Sequence, residues 1–297
     1  MLLEKYCFDG SKKPDLKLLP ASGREDGADK KQIIRKTADN QTRMQKLQDR
    51  LYADGREGLI ILLQAMDAAG KDSIVKHVIG GMNPQGVDVY SFKQPSREEL
   101  AHDFLWRTSK CLPRYGKIAI FNRSYYEDVL VVQVHQMNRS YRMAERIISQ
   151  SDRQFFEKRY GHIRSYEQYL FENSYRIVKI FLNVSKEKQK ERFLERIDMP
   201  EKNWKFSHSD LKERAMWEEY QSVYEEVIFK TATKNCPWYV IPADQKWYAR
   251  YLVSEAILKT LREMNPQYPA MPEEEKRLLS ECRQALLGEN KLPKAVN

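Results

Sequence analysis

The sequence predicts an α/β fold, a three-layer domain with helices on both faces of a parallel sheet. Three observations carry this. Five short apolar, β-rich segments recur, at residues 58–63, 87–92, 117–122, 176–184 and 238–243. They run near-continuously apolar rather than alternating, as strands covered on both faces do. Helix-like stretches separate them, and parallel neighbours require such crossovers.

In chain order, residues 14–27 read as a loop or arm. Residues 29–52 read as a helix, with Ile33, Ile34, Met44, Leu47 and Leu51 forming a partial apolar stripe among lysines and arginines. Further helices are expected at 71–79, 97–112, 127–137, 186–197, 210–231 and 245–264. From Pro266 onward three prolines fall within seven residues, followed by a charged helix at 273–287. The resulting division is an N-terminal arm and helix packed on the core (1–55), an α/β domain (56–265) and a C-terminal helical appendage (266–297). No internal repeat or low-complexity segment is visible.

Composition narrows the function classes. The 297 residues carry 51 Lys+Arg against 42 Asp+Glu, a net charge of +9. Collagen, low-complexity disorder and a disulfide scaffold are excluded. The longest purely apolar run, 59–63, is far short of the roughly 20 residues a bilayer requires. Residues 1–5 meet charge too early for a signal peptide. Cys7, Cys111, Cys236 and Cys282 are widely spaced and read as reduced thiols without a zinc framework. A cytoplasmic protein with anionic partners is therefore expected.

Ligands of open α/β sheets bind beyond the carboxyl ends of the strands, so the loops there come first. After the first strand runs Gln64-Ala65-Met66-Asp67-Ala68-Ala69-Gly70-Lys71-Asp72-Ser73. A strand, a small-residue loop, Gly-Lys and a helix make a phosphate cradle. Its backbone N–H groups can approach phosphate oxygens, and the lysine reaches the terminal phosphates. Measured against G-x-x-x-x-G-K-[ST], only Gly70 and Lys71 fit. Ala65 replaces the leading glycine and Asp72 the hydroxyl residue. Taken alone, the loop also suits an ordinary strand-to-helix turn. Asp67 favours the phosphate reading with a cation, because a carboxylate beside phosphate needs one between them. Mg²⁺ is implied. The third strand ends in Asn122-Arg123-Ser124-Tyr125-Tyr126-Glu127-Asp128. Arg123 suits bidentate phosphate contact, while Glu127 and Asp128 suit either metal binding or favourable charge in a first helical turn.

These residues together resemble the family-2 polyphosphate kinases. Asp67 to Lys71 is similar to their modified Walker A, and Phe121 to Tyr126 to their Walker B. Phe92-Lys93-Gln94-Pro95-Ser96 and Asp103-Phe104-Leu105-Trp106-Arg107 also match. A lid signature follows through Arg192, Phe193, Arg196, Pro200, Trp204, Lys205, Ser207, Asp210, Arg214, Trp217 and Tyr220. Pro237-Trp238-Tyr239, Asp244 and Lys246 complete the pattern over residues 58–258. Asn122 at the class-defining position resembles class III, the members that phosphorylate AMP and ADP. Gln133 and Gln136 depart from it, standing where Arg and Pro are usual.

The resemblance implies a P-loop kinase-like fold with a five-stranded parallel sheet and a helical lid at 192–217. It implies reversible, direct transfer of the terminal phosphoryl group of inorganic polyphosphate to AMP and ADP. Asp67, Lys71, Arg123 and Asp128 would be catalytic, with Asp67 and Asp128 holding Mg²⁺. Ala68, Ala69, Gly70, Asp72, Ser73 and Asn122 would hold phosphates and nucleotide, together with Arg192, Arg196, Lys205 and Arg214 from the lid. Lys76, Lys93 and Arg107 would line a polyphosphate channel. Partners would be polyphosphate, adenine nucleotides (guanine left open) and further copies of the chain, with neither nucleic acid nor membrane. The rivals are an ATP-dependent nucleoside monophosphate kinase, against which Ala65 and Asp72 argue, and a basic nucleic-acid-binding protein, for which no recognition motif is present. His77, His102, His135, His162 and His208 sit in unrelated contexts and offer no phosphohistidine site.

Overall fold

The computed structural model describes residues 2–24 and 26–288. In chain order its elements are β1 (Cys7–Phe8), α1 (Lys30–Asp54), β2 (Gly58–Ala65), α2 (Lys71–Ile74), β3 (Val87–Ser91), α3 (Trp106–Ser109), β4 (Ile118–Asn122), α4 (Val131–Val134), α5 (Glu145–Ile148), α6 (Asp152–Glu172), β5 (Tyr175–Asn183), α7 (Lys186–Asp198), α8 (His208–Ala215), α9 (Trp217–Thr231), β6 (Trp238–Pro242), α10 (Lys246–Met264) and α11 (Glu273–Gly288). The expected appendage at 266–297 includes nine residues, 289–297, outside the described ones.

One sheet has the order β1-β6-β5-β2-β4-β3. The five expected strands pair in parallel. The sheet has six strands rather than five, because Cys7 and Phe8 add an antiparallel edge against Tyr239 and Trp238. A two-residue strand carries no periodicity, so composition could not announce it. Every residue of β2 is buried, as its central place demands. The chain leaves β2 for the edge strand β3, returns to β4, then crosses to β5 on the other side. The order therefore reverses at β2, and its carboxyl end opens a crevice between β4 and β5. Helices α1, α2 and α10 cover one face, and α6 and α9 the other.

Three helical expectations change. Residues 97–112 contain only a 3₁₀ turn (Glu99–Ala101) and α3. His102 is extended and the Asp103 carboxylate accepts the Leu105 N–H at 2.9 Å, a local competitor that stops the helix. Residues 127–137 give a 3₁₀ turn (Tyr125–Asp128) and α4, separated by Leu130 outside helical geometry. The 210–231 segment divides at Met216 into α8 and α9. Helix α6 was not expected. Its signal was the capping box of Ser151 and Gln154 ahead of Phe155, Phe156, Ile163 and Leu170. Helix α11 forms where expected and buries none of its side chains.

Candidate active site

The loop after β2 needs unusual backbone. Ala68 has φ +60° and Gly70 φ +116°. At Gly70 an added Cβ would make only ordinary van der Waals contact, 3.9 Å from the Ser73 Cβ, so conformation rather than room calls for glycine. Lys71 then folds back, its Nζ donating to the Ala65 carbonyl at 2.9 Å. Burial, and then the nearby Arg123, push the Lys71 ammonium down to about 8 from an ordinary 10.5.

The end of β4 meets this loop. The Arg123 N–H donates to the Leu63 carbonyl at 3.0 Å, and Arg123 is left-handed at φ +66°. Its guanidinium bridges two carboxylates, Asp67 at 3.2 Å and Glu127 at 3.3 Å. Asn122 donates its amide to Asp72 at 3.0 Å. Asp67, Lys71, Asp72, Asn122 and Arg123 thus converge at the reversal point of the sheet.

Asp128 does not join them. It turns into a buried group where Tyr141 donates to its carboxylate at 2.6 Å and Arg159 lies 3.1 Å away. Burial raises its pKa against the opposing pull of Arg159. The expected pair of metal carboxylates, Asp67 and Asp128, is therefore divided between two neighbouring environments. Among the described residues no three His, Cys, Asp or Glu side chains come together as a metal cluster.

The four cations expected in a lid have different surroundings. Arg192 is buried, and all four of its hydrogen bonds go to backbone carbonyls: Ala68 and Ala69 at 2.8 Å, Ala243 at 2.6 Å and Asp244 at 3.0 Å. It fastens the loop after β2 to the residues that follow β6, using four of its five N–H donors on backbone carbonyls. Arg214 is bound to the Lys186 carbonyl and Gln189, and Arg196 to the Lys205 carbonyl and Asp210. Lys205 reaches over the loop to Asp72 at 3.8 Å. Asp210 faces Asp67 closely enough that burial, then Asp67, raise its pKa. Lys205 and Asp210 therefore lie beside the acidic residues of the loop after β2.

The expected channel cations fall in two places. Lys76 is exposed on the π-helical turn (Val75–Ile79) after α2, beside His77, whose pKa burial, then Arg250 and Lys76, lower. Arg250, missed at the level of sequence, donates to the Ser73 hydroxyl at 2.9 Å. Gln189, also missed, donates to the Asp67 carbonyl at 3.0 Å. A basic residue on a helix far along the chain offers no motif to find it by. Arg107 instead lies beyond β3, stacked on Phe92 at 5.4 Å and donating to the Lys93 carbonyl at 2.8 Å. It belongs to the surroundings of Asp128, where Arg159 lies over Phe104 and Phe155.

The comparisons with known proteins agree with this architecture. Residues 27–269 match the family described as Polyphosphate kinase 2 (PPK2). The chain is 47% identical over 247 residues to the ADP-polyphosphate phosphotransferase of Rhodopseudomonas palustris, covering 82% of this chain and 84% of that one. It is 46% identical over 227 residues to the AMP/ADP-polyphosphate phosphotransferase of Meiothermus ruber, covering 76% and 80%. The crystal structure of polyphosphate kinase 2 from Arthrobacter aurescens superposes with a TM-score of 0.74 at 41% identity, over 82% of this chain and 84% of that one. A loop of modified Walker A type at the sheet's reversal point, an arginine from the neighbouring strand and a basic segment across both are thus found in a chain that belongs to the polyphosphate kinase 2 family.

Proposed function

We propose that the protein transfers the terminal phosphoryl group of inorganic polyphosphate directly to AMP and ADP. The observation that carries this reading is the convergence of Lys71, Arg123 and Lys205 on one crevice, flanked by two unlike basic surfaces. On the side of α2 and α10, Lys76, Lys246 and Arg250 offer charge without an aromatic partner, which suits a chain of phosphates. Burial, then Arg192, lower the Lys246 pKa, so phosphate arriving there meets under-compensated positive charge. Beyond β3 and β4, Arg107 and Arg159 stand among Phe92, Phe104, Phe155 and Tyr141, which suits a nucleotide with an apolar base. On this reading Lys93 and Arg107 serve the acceptor side, and Lys76 the donor side.

Phosphoryl transfer has a loose transition state, so its catalysis is positioning and neutralisation of charge. Lys71 and the loop N–H groups of Ala68, Ala69 and Gly70 would hold the reacting phosphate, with Ser73 and Asp72 opening the helix behind it. Arg123 would give up part of its contact with Asp67 and Glu127 to meet the transferred group. Asn122 would hold Asp72 away from the incoming anions. Lys205 would neutralise phosphate from above, while Arg196 and Arg214 hold the lid's shape. Closure excludes water, which would otherwise consume the donor.

Asp67 fits Mg²⁺, because its carboxylate is partly exposed and Arg123 is its one ion-pair partner among the described residues. Mg²⁺ ordinarily takes one or two carboxylates and completes its shell with phosphate and water. When bound, the cation would offset charge on the phosphates. Asp128 could serve as a second ligand only by leaving Tyr141 and Arg159, so we assign the metal to Asp67.

The test is an endpoint assay with purified protein, Mg²⁺ and long-chain polyphosphate, given AMP or ADP separately. ADP and ATP from AMP, and ATP from ADP, are expected. Product from ADP alone would overturn the wider acceptor range, and phosphorylation of AMP only when ATP is the donor would overturn the polyphosphate reading. A pH profile adds a second check. Lys71 loses its charge in the free enzyme as pH rises through about 8, so kcat/KM should fall above that pH, approaching tenfold per unit. Bound phosphate favours the ammonium, so the corresponding limb in kcat should lie higher. Lys71→Arg should displace the kcat/KM limb upward; a limb unmoved by that change would assign the titration elsewhere.

A further inference from the structure

Beneath the catalytic loop lies a closed polar network that the reaction itself does not touch. Lys179, in the middle of β5, and Glu167, on α6, are both fully buried and paired at 2.6 Å. The other Glu167 oxygen accepts the hydroxyls of Tyr125 and Tyr126 at 2.8 and 2.7 Å. Lys179 also donates to the Tyr126 hydroxyl at 3.1 Å and to the Thr231 carbonyl, at the end of α9, at 2.9 Å. Its three donors are thereby all used. Burial and the Glu167 carboxylate hold both phenols well above their ordinary pKa, so they remain donors.

Burying an ion pair is a weak route to stability, since apolar side chains of similar volume commonly serve as well or better. What this pair does is local. Tyr125 and Tyr126 open the 3₁₀ turn that begins two residues after Arg123, the residue held at φ +66° without being glycine. Such a conformation persists only where the surroundings over-determine it. On its N-terminal side Arg123 is tied to the Leu63 carbonyl. On its C-terminal side Ser124 caps the turn, its hydroxyl accepting the Tyr126 N–H at 3.2 Å, and the two tyrosine hydroxyls descend into the pair. The same ammonium holds the last turn of α9, the helix that follows the lid.

We propose that Glu167 and Lys179 are positioning residues for phosphoryl transfer, holding the Tyr125–Asp128 turn so that Arg123 keeps its left-handed backbone and its aim at the phosphate site. This rests on the reading of Arg123 given above. Cutting the network lets the turn relax and the guanidinium swing from Asp67, and misplacement by about 1 Å costs on the order of 10²-fold.

The test is a kinetic cycle on the full chain with Glu167→Gln, Arg123→Ala and the double variant, assayed with polyphosphate and ADP where melting curves show each folded. We expect kcat for Glu167→Gln to fall about 10- to 100-fold, with KM for both substrates within about twofold. In the Arg123→Ala background the same substitution should cost less than about twofold, the non-additivity of residues acting as one unit. Tyr126→Phe, which removes one hydroxyl and leaves the ion pair, should give a smaller kcat loss with the same coupling; it stands in if Glu167→Gln does not fold. An unchanged kcat in the folded variant, or an equal loss in both backgrounds, overturns the proposal while leaving the site intact. A fully active Arg123→Ala would instead overturn the site reading and this inference with it.

Discussion

Replacing Lys71 by methionine should lower kcat by about 10³-fold or more while raising the melting temperature. The two effects have one cause. The ammonium is held by burial and Arg123 at a pKa of about 8, below its ordinary 10.5. Folding therefore keeps a charge where charge is unfavourable. Below pH 8 the ammonium is protonated in both the folded and unfolded chains, and the cost is present in full. Between 8 and 10.5 the folded chain releases its proton first, and the cost disappears as pH rises. Methionine fills similar volume without that charge, so at pH 7 a gain of about 2–4 °C is expected, corresponding to roughly 1 kcal/mol. The gain should shrink toward pH 10. Activity and thermal melts at pH 7 and pH 10 check both parts, and a variant less stable than the parent at pH 7 would refute the account.

Arg192→Ala should do the opposite to stability and also damage catalysis. Its guanidinium satisfies four carbonyls, two in the phosphate loop and two beyond β6. Removing it leaves those groups without a donor and opens a cavity beside them, a loss of about 3–5 kcal/mol. A drop of the order of 10 °C in melting temperature is expected. Ala68 would lose the clamp that holds it at φ +60°, and kcat should fall about 10²-fold through misplacement of the loop. Arg192→Lys should recover only part of either effect, because one ammonium cannot span both pairs of carbonyls. A near-native melting temperature with KM alone affected would instead mark Arg192 as a contact to substrate. Lys71 and Arg192 serve one loop, yet thermal denaturation should separate them by sign.

The contrast bears on how these sites are read from sequence. Both residues look alike there, as cations in motifs resembling a phosphate-binding enzyme. The same limit applies to Asp128. It directly follows Glu127, but Glu127 faces Arg123 while Asp128 turns to Tyr141 and Arg159. A change of face within a single turn is a matter of packing, and no spacing rule contains it.

What the sequence by itself determined is the set of features that depend on near neighbours. The five parallel strands were legible because a strand buried on both faces must be apolar almost without interruption. The loop after β2 was legible because Gly70 and Lys71 close a small-residue turn behind such a strand, and Arg123 because it directly follows another. Tertiary structure decided which side chains meet across long stretches of chain. Arg192 reaches carbonyls more than 120 residues away, Arg250 reaches Ser73 across 177, and Lys179 meets Tyr126, more than 50 positions earlier. It also decided the short elements at 97–112 and 127–137, where local side-chain hydrogen bonds and packing overrode a helical pattern. Long polar side chains have many possible partners in an extended chain. Burial leaves them only those that the fold brings within about 3 Å, and that selection is made in three dimensions.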